Sequence, residues 1–225
     1  MTLGELAGMF QKGFGAGENA IEPHPCELEV VHLDGWERAQ YLHETNIPWV
    51  RPSPNMPTLE TAVIYPGACL FEATNLSEGR GTIHPFKYLG APWIDSSSWI
   101  EAAKETGIPM EGAALSQIEF TPSFQKHEGQ LCYGIQIQVT DRLSFQPYRL
   151  GIALLIAAAQ TFPDSFRWRQ EPYEFIDTIP AIDLLYGSPV LRKVAEGRAP
   201  IDQIVIHLNE FEADYKSARN EFFLY

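Results

Sequence analysis

Positive charge is scarce in this chain. Sixteen Lys and Arg stand against 29 Asp and Glu, leaving a formal net charge of −13 over 225 residues. Such a surface repels a polyphosphate backbone and offers no counterion release, so no nucleic acid is expected as a partner, nor is an anionic membrane surface. Long apolar runs are missing too. The longest, Leu150 to Ala159, is about half of what a bilayer crossing requires, and no membrane span is expected. The cysteines Cys26, Cys69 and Cys132 are odd in number and far apart, which removes both a disulfide framework and a Cys-x-x-Cys site and leaves three ordinary, partly buried thiols. Histidines 24, 32, 43, 84, 127 and 207 never pair at i, i+4, so no metal site is expected. There is no G-x-S-x-G elbow and no phosphate loop. Gly13-x-Gly15-x-Gly17 shares part of a dinucleotide fingerprint but follows a helix instead of a strand and reads as a loop. No cofactor is called for. The first fifteen residues lack the basic start and apolar run of an export signal.

What is present suffices for a core: 45% hydrophobic and 12% aromatic residues exclude intrinsic disorder. Thr2 and Glu5 form a capping box, with Leu3, Leu6, Ala7 and Phe10 at helical spacing behind it. A chain that opens inside a helix cap is compact from its first residue or cut from something longer. After a Gly- and Pro-rich turn from Gly13 to Pro25, Cys26 to Leu33 reads as a strand. Residues 49–57 carry three prolines and form a fixed irregular loop. Thr58 caps a short helix, and Tyr65-Pro66 starts a second one that runs to about Glu72. From Ala73 to Pro92 no period is sustained, and this is the longest loop. A helix capped by Asp95 or Ser96 ends at Gly107, strands follow over Ala114–Phe120 and Leu131–Thr140, and Pro147 opens a buried helix through Ala159. Ser188-Pro189 and Pro200 open two more helices, the last amphipathic through Phe211 and Tyr215. The class is mixed α and β, with antiparallel strands.

Chemistry-bearing side chains crowd the middle of the chain: Arg51, Ser53, Asn55, Tyr65, Glu72, Thr74, Asn75, Ser77, Glu78, Arg80, Thr82 and His84. Carboxylates with Asn, Arg and Tyr are the vocabulary of sugar recognition and glycoside hydrolysis, in which paired acids protonate a leaving oxygen and steer water or form a covalent link. The same residues also suit a purely structural loop: Asn75 and Ser77 hold a turn, Gly79 and Gly81 supply positive φ, and Arg80 pins the loop through Glu78. Asp141 and Arg142 leave the best strand, where they line a site or form a structural pair. Tyr173-Glu-Phe175 and Ile182-Asp-Leu-Leu185 read as core, with one satisfied acid each.

A larger pattern runs through these residues. Trp49-Val-Arg-Pro-Ser-Pro-Asn-Met-Pro-Thr58, Tyr65-Pro-Gly67, Leu70-Phe-Glu-Ala-Thr-Asn-Leu-Ser-Glu-Gly-Arg-Gly-Thr82, Pro85-Phe86 and Gly90-Ala-Pro-Trp93 closely resemble the NamZ-type exo-β-N-acetylmuramidases, peptidoglycan-recycling glycoside hydrolases. The likeness continues through Val139-Thr-Asp-Arg142, Tyr173-Glu-Phe175, Pro180-Ala-Ile-Asp-Leu-Leu185 and Phe222-Phe-Leu-Tyr225.

The resemblance implies release of N-acetylmuramic acid from the non-reducing end of peptidoglycan-derived amino sugars. It implies a Rossmann-like domain followed by a C-terminal α+β domain, with the active site between them. Family members are nearly twice as long, so residues 1–66 correspond to the end of the Rossmann-like catalytic domain and 67–225 to the C-terminal one. That boundary predicts exposed apolar surface at Leu3, Leu6 and Phe10. The acid usually proposed as catalytic falls in the part not present, which a longer gene product or a separately encoded N-terminal domain would supply. Glu72 and Glu78 are left to hydrogen-bond sugar hydroxyls or, as the remaining catalytic candidates, to provide the second acid. For the lactyl carboxylate of N-acetylmuramic acid the guanidinium candidates are Arg80, Arg142 and Arg51, in that order. Asn55, Tyr65, Asn75 and Asp141 complete the expected substrate contacts, with Asn75 on the N-acetyl group or another polar edge. Two other functions fit the same sequence: a catalytically silent wall-sugar binding module, and a folded remnant.

Overall fold

The strand with the clearest alternation becomes the middle of the only named sheet among the described residues. The computed structural model describes residues 1–15 and 20–225, so Gly17 of the G-x-G-x-G stretch and part of the Gly13–Pro25 turn lie outside it. Strand β3 (Cys132–Val139) runs antiparallel to both β1 (Tyr88–Ala91) and β2 (Ala113–Phe120), in the order β1-β3-β2. β1 was not expected: four residues with Gly90 inside are too short to show a period. Ile135 and Ile137 are buried as expected, but Leu131 and Tyr133 on the same face are exposed, while Cys132 and Gly134 on the other face are buried. The cause is local. Gly134 faces Gly90 so closely that a Cβ on it would lie 1.9 Å from the Leu89 carbonyl oxygen, and the side of Phe120 covers this glycine pair.

Helices cover the face carrying Leu89, Ala91, Ile135 and Ile137. α2 (Leu59–Ala68) is capped by Thr58, whose hydroxyl accepts from the Thr61 amide at 3.1 Å. α3 (Ser96–Glu105) is capped by Asp95 and followed by Gly107 in the left-handed region, φ 69°. Both touch β3, and α4 (Pro147–Thr161) packs against them. The sequence suggests a new helix at Pro66, but Pro66 sits inside α2. Its ring removes one helical N–H, and the chain tightens into a 3₁₀ turn over Cys69–Ala73 instead of breaking. α4 is apolar on every side because it is enclosed by α2, α3, the 3₁₀ turn and α6 (Val190–Ala195). Each of its fully buried Leu and Ile side chains contributes about 1.5–3 kcal/mol. The buried Trp99 indole donates to the Leu154 carbonyl at 2.8 Å. α2 and α4 cross at Gly67 and Gly151, where a Cβ on Gly151 would stand 2.3 Å from the Gly67 carbonyl oxygen.

These elements, with α5 (Ala181–Tyr186), form one compact unit, Trp49–Ile204. On α5, Ile182 is buried and Asp183 is satisfied by Arg192 at 2.5 Å, as expected. The Tyr173–Phe175 segment is different. Residues 173–176 close a two-residue hairpin with Glu174 and Phe175 both at positive φ, 48° and 67°. Phe175, expected in the core, stands fully in solvent at its tip.

The second unit is Met1–Pro48 with Val205–Tyr225. α1 (Leu3–Lys12) has its capping box, Thr2 Oγ1 accepting from the Glu5 amide at 3.3 Å and Glu5 accepting from the Thr2 amide at 2.7 Å. Leu3 and Phe10 are exposed, and Leu6 is half-buried. The strand expected over Cys26–Leu33 is absent: most of its side chains are exposed and its backbone finds isolated partners such as the Tyr225 hydroxyl, 2.6 Å from the Leu33 amide, in place of a ladder. Cys26 is exposed, contrary to expectation. α7 (Asp202–Arg219) buries Leu208 and half-buries Tyr215 but leaves Phe211 exposed, so the apolar stripe expected through Phe211 is interrupted there. Glu5 anchors the unit. It pairs with Arg38 at 2.5 Å and accepts from the Leu224 amide at 3.0 Å, tying α1 to the last residues of the chain.

Two outcomes follow from this packing. Gly151→Ala should cost about 2 kcal/mol in urea unfolding, because the new methyl has only backbone to push against. Burial would raise the Glu5 carboxyl, but the bonds from Arg38 and from the Leu224 and Thr2 amides overcome it and hold it down to about 2, against an ordinary 4.5. A depressed carboxylate stabilises the fold above its unfolded value and stops doing so as pH falls through its folded one. Stability measured by thermal unfolding should therefore drop between about pH 4.5 and pH 2, and that drop should be smaller in Glu5→Gln.

Candidate functional site

Two adjoining pieces of chain deliver the carboxylates. The 3₁₀ turn after α2 places Glu72, and the loop that follows places Glu78 and Arg80. The loop is tied down locally: the Thr74 hydroxyl accepts from the Leu76 amide at 3.1 Å, Ser77 Oγ accepts from the Gly79 amide at 3.1 Å, and Ser77 bridges to Gly90 of β1. Gly79 and Gly81, at φ 73° and 81°, turn it as a structural reading requires.

The charged groups form one line. Arg80 Nη2 donates to Glu72 Oε1 at 2.9 Å, and Arg80 Nε lies 3.5 Å from Glu78 Oε1. Lys126, on the β2–β3 loop, donates to Glu78 Oε2 at 2.9 Å and to the carbonyls of Phe71 at 2.8 Å and Leu76 at 3.0 Å, which uses all three ammonium protons. The Tyr173 hydroxyl donates to Glu72 Oε2 at 3.3 Å. Two carboxylates and two cations sum to zero. Arg80 rests over the Phe86 ring at 5.2 Å, and Tyr65 meets the same ring edge-on at 4.8 Å.

Burial pushes the Glu72 carboxyl above its ordinary value, and the Glu78 charge adds to this against the pull of Arg80, Tyr173 and Lys126. Burial and Glu72 together hold the Tyr173 phenol far above its usual range and raise that of Tyr65. Burial lowers the Lys126 ammonium, opposed by Glu78. Glu72 is thus a nearly buried acid that holds its proton to higher pH than a solvated one, the property a proton donor to a leaving oxygen requires.

Of the residues singled out from sequence, Tyr65, Glu72, Glu78 and Arg80 come together. Asn75 is adjacent but occupied: its Nδ2 donates to the Ser165 carbonyl and its Oδ1 accepts from the Arg167 amide, both at 2.9 Å, so its role here is to lock the loop. Arg51 is exposed, and neither it nor Asn55 bonds to the cluster. Asp141 and Arg142 follow the end of β3 opposite to the β2–β3 loop that carries Lys126. There Asp141 accepts from the Ser144 hydroxyl at 2.7 Å and the Leu143 amide at 3.0 Å, bonds that lower its carboxyl and shape a turn. Arg80, the first choice for a carboxylate partner, already has two.

Sequence reasoning missed Lys126, Tyr173 as a ligand of Glu72, and the run Phe166-Arg167-Trp168-Arg169. The last carries a legible signal, two arginines flanking a tryptophan in a chain poor in cations. Its Arg167, Trp168 and Arg169 border an open cleft of about 510 Å³ also lined by Thr74, Lys126 and His127. Among the described residues, no three His, Cys, Asp or Glu side chains are placed to hold a metal ion, and no helix is long and apolar enough to cross a membrane.

A buried acid, phenols and a guanidinium on a mixed α/β unit are compatible with several site chemistries. Comparison narrows this. The family model for the C-terminal part of exo-β-N-acetylmuramidase NamZ matches residues 63–225, and that for its N-terminal part matches 1–60. The chain belongs to the NamZ family. It is 34% identical, over all of its 225 residues and 50% of the relative, to the peptidoglycan β-N-acetylmuramidase NamZ of Bacillus subtilis. Two crystal structures of DUF1343 family proteins from Bacteroides fragilis share its fold. One has a TM-score of 0.79 at 21% identity, covering 99% of this chain and 55% of the other. The second scores 0.51 at 23% identity, covering 83% and 47%. The chain thus spans about half the length of the relatives it matches.

The charge line makes a stability prediction. Lys126→Met leaves Glu78 buried with Arg80 alone, and should cost about 3 kcal/mol in urea unfolding, because breaking a buried pair strands the remaining charge.

Proposed function

We propose that this chain is the sugar-holding part of a peptidoglycan-turnover glycoside hydrolase that releases N-acetylmuramic acid from the non-reducing end of muropeptide sugars. On this reading residues 1–66 are the remainder of a Rossmann-like catalytic domain and 67–225 the C-terminal domain, with the remaining catalytic machinery in the part of the relatives' length that these 225 residues do not cover. The observation that carries the proposal is Glu72: an acid raised by burial, oriented by the Arg80 guanidinium on one oxygen and the Tyr173 hydroxyl on the other. Its carboxyl either protonates the glycosidic oxygen or hydrogen-bonds a sugar hydroxyl. Arg80, shared between two glutamates, positions Glu72 instead of gripping substrate, and Tyr65 packs edge-on against the Phe86 ring that lies beneath Arg80. Glu78 is hydrogen-bonded to Lys126 and ion-paired with Arg80 at 3.5 Å, and serves as the anchor of this arrangement.

The same pairing favours one second reading. With Glu78 occupied, Glu72 is the single carboxyl of this cluster available for proton transfer, and a glycosidase needs two. Alone, the chain then acts as a wall-sugar binding module.

The test follows release of N-acetylmuramic acid from its disaccharide with N-acetylglucosamine, using the full-length Bacillus subtilis relative and its variant with Gln at the position aligned with Glu72. Loss of about 100-fold or more in kcat supports proton donation. A rise in KM with kcat unchanged supports sugar binding. Unchanged kinetics would sink the proposal.

A further inference from the structure

Arginines 167 and 169 spend their hydrogen bonds on neutral acceptors. Arg167 donates to the carbonyls of Pro163 at 3.2 Å, Phe166 at 2.6 Å and Asp164 at 2.7 Å. Arg169 donates to the carbonyls of Glu171 at 3.4 Å and Pro172 at 3.0 Å. Among the described residues neither has a carboxylate within ion-pairing distance, although the chain carries 29 acidic residues against 16 basic ones. Carbonyls orient a guanidinium without cancelling its charge, and each of these two keeps N–H groups unspent. The cleft they border contains one acidic residue, Glu171, and is completed by Lys126, His127 and Trp168. The opposite wall is held under strain: Gln125 and His127, on either side of Lys126, are non-glycine residues at φ 71° and 58°. Such conformations persist where the surroundings enforce them, and they gather at ligand sites.

The cleft wall is linked to Glu72 through side chains. The Arg169 guanidinium lies 5.5 Å from the centre of the Tyr173 ring, and the Tyr173 hydroxyl is the one bonded to Glu72. Arg80, by contrast, sits between two carboxylates and has no net charge to offer an acidic ligand.

We propose that this cleft is a carboxylate-binding site in which Arg167 and Arg169 receive the acid group of the sugar held at Glu72. The inference rests on the sugar-holding reading and adds to it the residues that select an acidic ligand. The carboxylate comes from a lactyl ether or from a peptide stem, and the two sources are separable by probe.

The test measures the affinity of this 225-residue chain for N-acetylglucosamine, N-acetylmuramic acid and muramyl dipeptide by calorimetry. An acid-bearing sugar should bind about tenfold more tightly than the neutral one, the equivalent of one charge-assisted hydrogen bond. That preference should shrink as salt rises and vanish in the Arg167→Gln/Arg169→Gln double variant, while Arg167→Lys/Arg169→Lys retains part of it. Preference for N-acetylmuramic acid assigns the lactyl carboxylate, and preference for muramyl dipeptide alone assigns the stem. Equal binding of neutral and acidic sugars, or a preference that survives high salt or the Gln double variant, overturns the carboxylate site and leaves the sugar-holding reading standing. Binding of none of the three overturns both.

Discussion

Glu78 is a carboxylate with almost no access to water, and its retention there obliges the surrounding chain to supply positive charge. Lys126 meets one oxygen and Arg80 approaches the other, so the β2–β3 loop and the loop after α2 are fastened to a common group. Lys126 is itself largely removed from water and depends on Glu78 in return, with the Phe71 and Leu76 carbonyls taking its other protons. A buried pair of this kind adds little net stability compared with apolar packing, but it specifies one arrangement against others. Here the arrangement it specifies is the position of Arg80, and through Arg80 that of Glu72.

The chemistry of the cluster follows from that order of dependence. Because the formal charges of Glu72, Glu78, Arg80 and Lys126 cancel, burial and not a strong local field decides the state of Glu72, and burial favours the protonated form. A neutral cluster suits the hydroxyls and ether oxygens of a sugar. It is poorly suited to an acidic substituent, which is better served by Arg167 and Arg169, whose charges are balanced by no carboxylate among the described residues. On the proposed reading these two environments, one neutral and acid-bearing, one cationic, serve a ligand that is neutral at its glycosidic bond and charged elsewhere.

Some of this was legible in the sequence and some was not, for identifiable reasons. The Thr2–Glu5 capping box, the Asp95 helix, the existence of β3 and the buried α4 rest on local patterns that their surroundings do not contradict, whereas the inward and outward faces of β3 are reset locally by the Gly90–Gly134 contact. The Cys26–Leu33 segment has strand-like composition but no neighbouring strand to pair with, and β-propensity without a partner does not make a sheet. Pro66 was read as a boundary because the loss of one N–H normally is one, yet packing on α4 carries the helix past it. Glu72, Glu78 and Arg80 were found because polar density in a long loop is visible in one dimension. Lys126 was not, since a lone lysine on a hairpin loop gives no hint that it folds inward. The Tyr173–Phe175 segment reads as core from its composition, whereas the hairpin turns Phe175 out and Tyr173 toward Glu72.

The central claim is that Glu72 is an acid raised by burial and steadied by Arg80 and Tyr173. An NMR pH titration of the Glu72 side-chain carboxyl carbon addresses it most directly, in the native protein and in Arg80→Gln and Tyr173→Phe. The account predicts a midpoint above the ordinary glutamate value of 4.5, displaced further upward in both variants because each removes a group that favours the ionised form. A Glu72 that titrates at or below that value, or one whose midpoint ignores both substitutions, would contradict it.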